Sequence, residues 1–418
     1  MHHFINYFCI FYVLMVLLSA FCVRKAVKYK VFTYLYYILS AFFLFYFLYY
    51  WNESFSGVWD SHRQFSFGLF LSWLLFATLI SIFFLGETLV RLLCAPFRMK
   101  KEKVIPSRRR FVSLIGMGVA AIPFAGMIYG MLWGKYNFRV IKHTLYFDDL
   151  PEAFDGYRIV HISDIHSGSF DNVEKVQYGI DMINAQKGDV IFFTGDLVNN
   201  KAEEMLPWIS HFKQLHAKDG VYSVLGNHDY GDYVQWDSPQ DKLKNLEDLK
   251  GIHQQLGFCL LNNESVFLTR GQQRIAVVGV ENWGQGFVKK GDLKQALREV
   301  DKKDFKVLLS HDPTHWQYEV IDSPNFIHLT LSGHTHGMQF GIEIPGVIKW
   351  SPASWRYKYW GGIYKEKGKY INVNRGFGYL AFPGRVGMPP EITVIELRKK
   401  DKNTPIDLSL IHISEPTR

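Results

Sequence analysis

The chain is 418 residues long, more than one hydrophobic core normally fills, so two modules are expected. Its net charge of +8 is uneven: residues 1–139 hold 15 Lys and Arg against 4 Asp and Glu, leaving 32 against 35 beyond them. That slightly acidic remainder argues against nucleic-acid binding, which needs a basic surface on the domain itself.

Four apolar stretches come first, at 4–22, 31–51, 65–85 and 111–133. Each matches the ~20 residues that a membrane-spanning helix needs. None has a charged residue in its middle, so the spans show no ion pathway or proton relay, and an anchor is the default. Tyr49, Tyr50 and Trp51 stand where an interfacial aromatic belt belongs. Loop charge sets the orientation. The first loop carries Arg24, Lys25, Lys28 and Lys30; the third carries Arg91, Arg98, Lys100, Lys101, Lys103, Arg108, Arg109 and Arg110. The second has only Arg63, with Glu53 and Asp60. Basic loops stay cytoplasmic, which puts both termini outside. Ser107, Arg108, Arg109, Arg110, Phe111 and Val112 read either as a twin-arginine export signal or as a basic stop before a helix. Both readings predict the same topology. Cys9, Cys22 and Cys94 lie in or beside these stretches and Cys259 stands alone, so no disulfide framework or thiolate metal site is available.

Residues 140–156 read as a linker, and strand and helix signals alternate after it. A β-rich run at 157–162 leads to Asp164, Ile165 and His166. Val173, Val176, Ile180 and Ile183 share one face of a helix predicted over 173–186. Further apolar strands are predicted at 189–193, 221–225, 305–309 and 326–331. They lead to Gly195-Asp196, to Gly226-Asn227-His228-Asp229, to Ser310-His311 and to Gly333-His334-Thr335-His336. Every cluster follows the carboxyl end of a strand, where open α/β sheets place their ligand sites. Short, continuously apolar strands imply sheets covered on both faces.

The five clusters supply Asp164, Asp196 and Asn227 with four imidazoles, His166, His311, His334 and His336. Carboxylate, amide oxygen and imidazole hold divalent ions without thiols. Phosphate-ester hydrolysis calls for two such ions about 3.5–4 Å apart, sharing an oxygen ligand.

In this order the series resembles the calcineurin-like metallophosphoesterase family, whose pattern is D-x-H, G-D, G-N-H-[DE], H and G-H-x-H, over residues 157–397. The resemblance implies an α/β fold: a four-layer αββα sandwich of two mixed sheets at 157–400, preceded by an all-α module of four transmembrane helices at 1–139. It implies two divalent metal ions (Mn, Fe or Zn), one on Asp164, His166 and His336, the other on Asn227, His311 and His334, with Asp196 bridging. A metal-bridging hydroxide would attack phosphorus, and His228 would be the catalytic residue that faces the substrate. Val373 to Gly378 and Pro389-Pro390-Glu391-Ile392 resemble a bacterial membrane-anchored or exported branch. Met338 stands where that branch usually has a second glycine, and Asn199 and Asn200 where an acidic residue is common.

Other residues beside these motifs invite a role. Asp229 either orients His228 or caps the following turn. His161 reads as a buried, hydrogen-bonded strand histidine. Asp312 is a candidate partner for a ligand, and Arg375 and Arg385 are candidate phosphate contacts. Residues 408–418 look like a translated transposase sequencing adapter, so the natural C-terminus is expected to lie elsewhere and His412 is no ligand. The expected function is membrane-anchored hydrolysis of phosphate mono- or diesters, on a phosphorylated small-molecule or lipid substrate. It is expected at a bacterial inner membrane, with the catalytic domain outside the cytoplasm. One alternative is a lipid-linked nucleotide-sugar pyrophosphatase at the membrane surface. Another, of a different class, is a non-catalytic membrane sensor with a binding domain.

Overall fold

The computed structural model describes residues 2–27, 29–52, 61–97, 106–344 and 346–400, which fall into two compact units. The first unit is built of helices α1 (His2–Ala26), α2 (Lys30–Asn52), α3 (Ser61–Cys94) and α4 (Pro106–Leu132). All four are long and apolar enough to cross a membrane. Helix α3 outruns the expected 65–85 because its apolar pattern continues past Glu87, whose carboxylate pairs with Arg91 one turn on at 2.7 Å. Aromatic packing organises the inside of this unit. The Phe70 ring stacks on Tyr12 and Phe47 at 4.6 and 4.5 Å, and Trp73 donates to the Ser40 hydroxyl at 2.8 Å. Leu, Ile and Phe side chains such as Ile10, Ile38 and Phe45 stay exposed on the outer faces, as helices solvated by lipid require. Of the residues used to orient the spans, Lys28, Glu53, Asp60, Arg98, Lys100, Lys101 and Lys103 lie outside the described residues, as does the tail at 408–418.

The second unit is a sandwich of two six-stranded sheets. The first joins β1 (Arg139–Phe147), β2 (Tyr157–Ile162), β3 (Val190–Phe193), β4 (Val221–Ser223), β5 (Phe258–Leu260) and β14 (Glu391–Lys399) in the order β1-β14-β2-β3-β4-β5. The second joins β6 (Glu264–Arg270), β7 (Gln273–Gly279), β8 (Phe305–Leu309), β9 (Leu329–Ser332), β12 (Gly362–Glu366) and β13 (Lys369–Val373) in the order β12-β13-β9-β8-β7-β6. Both sheets are mixed. The β2–β3, β3–β4 and β8–β9 pairs are parallel, whereas β14–β2 and β12–β13 are antiparallel. A small hairpin of β10 (Ile342–Ile344) and β11 (Ile348–Trp350) stands apart from both.

Ile159, Phe192 and Ile395 from one sheet meet Val277, Val307, Leu309 and Leu331 from the other in a dry middle layer. Outside the first sheet lie α5 (Val173–Asn184), the short α6 (Ile209–Phe212) and α7 (Pro239–Gln255), presenting Val176, Ile180, Leu249 and Ile252. Trp316, Val320 and Leu293 cover the second sheet over Val278, Leu308 and Ile371. The four layers are therefore αββα, and strands covered on both faces read as continuous apolar runs.

One expectation needs correction. The expected linker at 140–156 is strand in its first half: β1 runs to Phe147 as an edge strand, parallel to β14 from Arg139↔Glu391 to Phe147↔Lys399, and only 148–156 connects it to β2. Leu145 and Phe147 are buried, Tyr146 between them is half-buried, and residues 139–144 are exposed or half-buried. That half-wet pattern has the polar content of a linker. The helix expected over 173–186 stops at Asn184, and the strand expected from 326 begins at Leu329. His161 is buried on β2, between the Thr194 hydroxyl at 2.9 Å and the Asn372 amide at 2.8 Å. Burial pushes its imidazole down to about 3, so it stays neutral.

Candidate metal centre

Five loops at the carboxyl ends of β2, β3, β4, β8 and β9 converge, three from one sheet and two from the other. They bring together all seven side chains expected as ligands. His336 Nε2 lies 3.2 Å from Asp164 Oδ1 and 3.0 Å from His166 Nε2. On the other side, His311 Nε2 lies 3.1 Å from Asp196 Oδ2 and 3.2 Å from Asn227 Oδ1, and His334 Nδ1 lies 2.8 Å from that same amide oxygen. Asp196 Oδ2 also stands 3.5 Å from His166 Nε2, which places its carboxylate between the two groups.

The local backbone is strained to achieve this. Asp164, His166, Asp196, His334 and His336 all have φ between 48° and 72°, the left-handed region that β-carbons disfavour. Such conformations cost of order 1–3 kcal/mol each and persist only where their surroundings over-determine them. Close approach of the loops adds a second constraint. A Cβ on Gly333 would fall 1.9 Å from Ser163 Oγ and 2.2 Å from Asp164 Oδ2. One on Gly226 would fall 2.2 Å from Asp196 Oδ1.

Hydrogen bonds hold the strained residues. The His334 amide donates to Asp164 at 3.0 Å, and the His228 amide donates to Asp196 Oδ1 at 2.8 Å. Asp229 resolves the alternatives left by the sequence. Its buried carboxylate accepts from the amides of Gly226 (2.8 Å), Asp196 (2.9 Å), Leu197 (2.8 Å) and Val198 (3.3 Å). It caps its own turn and ties that turn to the Asp196 loop, and it does not orient His228. His228 Nδ1 instead donates to the Asn199 carbonyl at 2.7 Å, leaving Nε2 as the free ring nitrogen. The run after Asp196 is held in turn by Glu204, whose carboxylate accepts from the amides of Asn199, Asn200 and Lys201.

The donor set fits divalent cations. Burial pushes His166 well below its ordinary value and lowers His334 too, leaving neutral imidazoles of the kind that ligate. His166 Nε2 and His336 Nε2 lie 3.0 Å apart beside the Asp164 carboxylate, and a cation among them satisfies all three donor atoms. At His311 burial is overridden by Asp196 and Asp164, which push its imidazolium up to about 10. A proton there occupies the position between His311 and Asp196 that a metal would take.

Asp312 has its Oδ2 3.4 Å from His334 Nε2, and the Tyr357 hydroxyl lies 2.9 Å from the same nitrogen. Both stand where the outer partners of a ligating imidazole would stand. Arg375 and Arg385, expected as phosphate contacts, are buried, and Arg385 Nη2 lies 3.2 Å from Nδ1 of His336. Arg375 pairs with Glu391 and with Glu343, at 2.6 Å for the latter, and Arg385 donates to the carbonyls of Arg375 (2.6 Å), Gly376 (3.2 Å) and Gly378 (3.1 Å). Buried carboxylates take up the charge of Arg375, and loop carbonyls and His336 surround that of Arg385, which a sequence of solvated-looking arginines does not reveal. Sequence reasoning missed Tyr233 and Tyr357. Tyr233 accepts from the Asn227 amide at 2.8 Å, and its ring lies 4.5 Å from that of His228. Aromatic residues abound throughout this chain, and nothing in their spacing singles these two out.

Comparison with known proteins matches residues 1–135 to the family model "Probable Calcineurin-like phosphoesterase, transmembrane domain" and residues 157–338 to "Calcineurin-like phosphoesterase". The chain is 30% identical over 304 residues to the metallophosphoesterase YkuE of Bacillus subtilis (strain 168), covering 70% of this chain and 98% of that one. It is 26% identical over 318 residues to a metallophosphoesterase of Helicobacter pylori (strain J99), covering 73% and 76%. A Danio rerio protein described as a transmembrane protein with metallophosphoesterase domain is 26% identical over 285 residues, covering 65% and 60%.

Replacing Asp229 with Ala leaves four buried amides without their acceptor, at about 1–3 kcal/mol for each one left unsatisfied. Denaturant unfolding of the full chain in detergent should show a loss of at least about 3 kcal/mol, with less metal retained after purification. A variant within about 0.5 kcal/mol of the parent would contradict this role.

Proposed function

Because the chain belongs to the calcineurin-like phosphoesterase family and joins that domain to four membrane-spanning helices, we propose that it is a membrane-anchored phosphoesterase with a dinuclear metal centre. Its substrates are phosphate mono- or diesters. One ion is held by Asp164, His166 and His336 and the other by Asn227, His311 and His334, with Asp196 shared. The observation that carries the reading is the place of Asp196 Oδ2, 3.1 Å from a nitrogen of one group and 3.5 Å from a nitrogen of the other. Mixed nitrogen and oxygen donors without sulfur suit Mn, Fe or Zn. When bound, such a pair neutralises charge on the phosphoryl oxygens and lowers the pKa of the attacking water.

The chain's own contribution centres on His228. Its Nδ1–H is committed to the Asn199 carbonyl, so the ring is locked and Nε2 is the nitrogen offered to a substrate. The imidazole packs edge-on against His166 at 5.0 Å, beside the centre. A proton carried on Nε2 passes to the leaving oxygen as the ester bond breaks, which makes His228 the general acid. In His228→Ala the metals should stay while turnover falls by about 10²–10⁴-fold on alkyl phosphates. The loss should shrink on 4-nitrophenyl esters, whose leaving group needs little protonation. An equal loss across leaving groups would assign His228 to charge stabilisation instead.

The domain lies outside the cytoplasm, at a bacterial inner membrane. Twelve Lys and Arg in the first and third loops against one in the second support this orientation, since basic residues close to a span resist translocation. The bacterial relatives support the setting. Alkaline phosphatase fused after residue 400 should be active, and a fluorescent protein fused there should stay dark. The opposite pattern would turn the domain inward and favour a lipid-linked pyrophosphatase at the inner leaflet.

A further inference from the structure

The hairpin of β10 and β11 is amphipathic the wrong way round for water. Its register pairs Ile342 with Trp350 and Ile344 with Ile348, and residues directly opposite in an antiparallel pair share a face. The pair between them, Glu343 and Lys349, faces the other way. That polar face makes the hairpin's bonds to the domain, although both of its residues stay exposed. Glu343 accepts from Arg375 at 2.6 Å, and Lys349 Nζ donates to the Gly361 carbonyl. Arg375 is itself clamped by buried Glu391, so the hairpin's orientation is fixed from within. The apolar face points outward. Ile342, Ile344, Ile348 and Trp350 are all exposed, Val347 beside the turn is 78% exposed, and Trp355 nearby is 79% exposed. Neither strand pairs with any other described strand.

We propose that this face inserts into the lipid leaflet of the membrane that the chain's own helices occupy, giving the catalytic domain a second membrane contact. Three observations select lipid over other occupants. Six residues separate the end of α4 at Leu132 from the start of β1 at Arg139, so the domain always meets a bilayer at high effective concentration. Branched aliphatics with two tryptophans, their rings 5.8 Å apart, make the side-chain mixture that seats at a membrane interface. Two three-residue strands are also small beside the roughly 800 Å² per partner that a stable dimer buries. Charge agrees. Arg356 is exposed, stacked on Phe287 and Tyr357 at 5.0 and 5.3 Å, and forms no ion pair among the described residues, which suits an anionic headgroup. Phe287 and Tyr357 in turn pack against His334, so Arg356 is one ring away from the candidate metal centre. The proposal rests on the membrane spans and not on the phosphoesterase reading, so the two fail separately.

The test uses the full chain with Cys9, Cys94 and Cys259 replaced by Ser, the buried Cys22 retained, and a reporter cysteine at Val347→Cys. Labelled with an environment-sensitive nitrobenzoxadiazole dye, it is reconstituted into vesicles of phosphatidylcholine and phosphatidylglycerol at roughly 3:1. Leu243→Cys on α7, also exposed, is the control. Quenching by doxyl-labelled phosphatidylcholine should be several-fold stronger at position 347 than at 243, with blue-shifted emission, and Trp355→Cys should follow 347. Equal, weak quenching at all three positions overturns the proposal. Shielding at 347 from aqueous iodide without lipid quenching, falling as protein is diluted in lipid, overturns it in favour of a second copy of the chain. Metal content equal to that of the parent shows that the labelled chains are folded.

Discussion

The Asp229 carboxylate is the contact on which the rest of the centre depends. One buried group accepts four amide hydrogens from two loops that follow different strands, and so fixes Asp196 against Asn227. Asp196 then sits between the two groups of candidate ligands, and its Oδ1 accepts the backbone amide of His228. Without that carboxylate the loops would have neither their spacing nor a reason to keep the left-handed φ at Asp196. The arrangement places a structural acid directly behind Asp196, the residue proposed to bridge, and in a low dielectric such proximity is tolerable only where N–H groups and cations compensate.

Strain is concentrated where the chemistry is. Five of the seven candidate ligands adopt positive φ, and each is an aspartate or a histidine, the residue types most tolerant of that region after asparagine and glycine. The strained turns let each strand end abruptly and project its next side chains back across the sheet edge. Regular sheet on one side and close-packed glycines on the other leave the loops no room to relax. The sandwich therefore acts as a rigid mount, and this is what a metal centre of fixed donor spacing requires.

Much of this was legible in the sequence. Each motif sits at the end of an apolar run of strand length, so strand, turn and candidate ligand could be read together at Asp164, Asp196, Asn227, His311 and His334. Spans were legible because a lipid-facing helix tolerates little polarity over some twenty residues. What stayed hidden has particular causes. An edge strand such as β1 is half wet, and its alternation is too weak to separate from a linker. Arg375 and Arg385 carry no mark of the buried carboxylate and carbonyls that absorb their charge. The role of Asp229 depends on amides two loops away. The inverted hairpin has an alternating pattern at 342–344 and 348–350, yet alternation alone does not say which face is docked.

The central claim is that two ions share Asp196 at short range. Electron paramagnetic resonance of the metal-stripped full chain reloaded with Mn²⁺ tests it most directly. The account predicts two Mn²⁺ per chain and a spectrum broadened by exchange coupling through a shared ligand, collapsing to that of isolated ions in Asp196→Asn. A parent chain that binds a single ion, or two whose spectrum is that of isolated Mn²⁺, would contradict it.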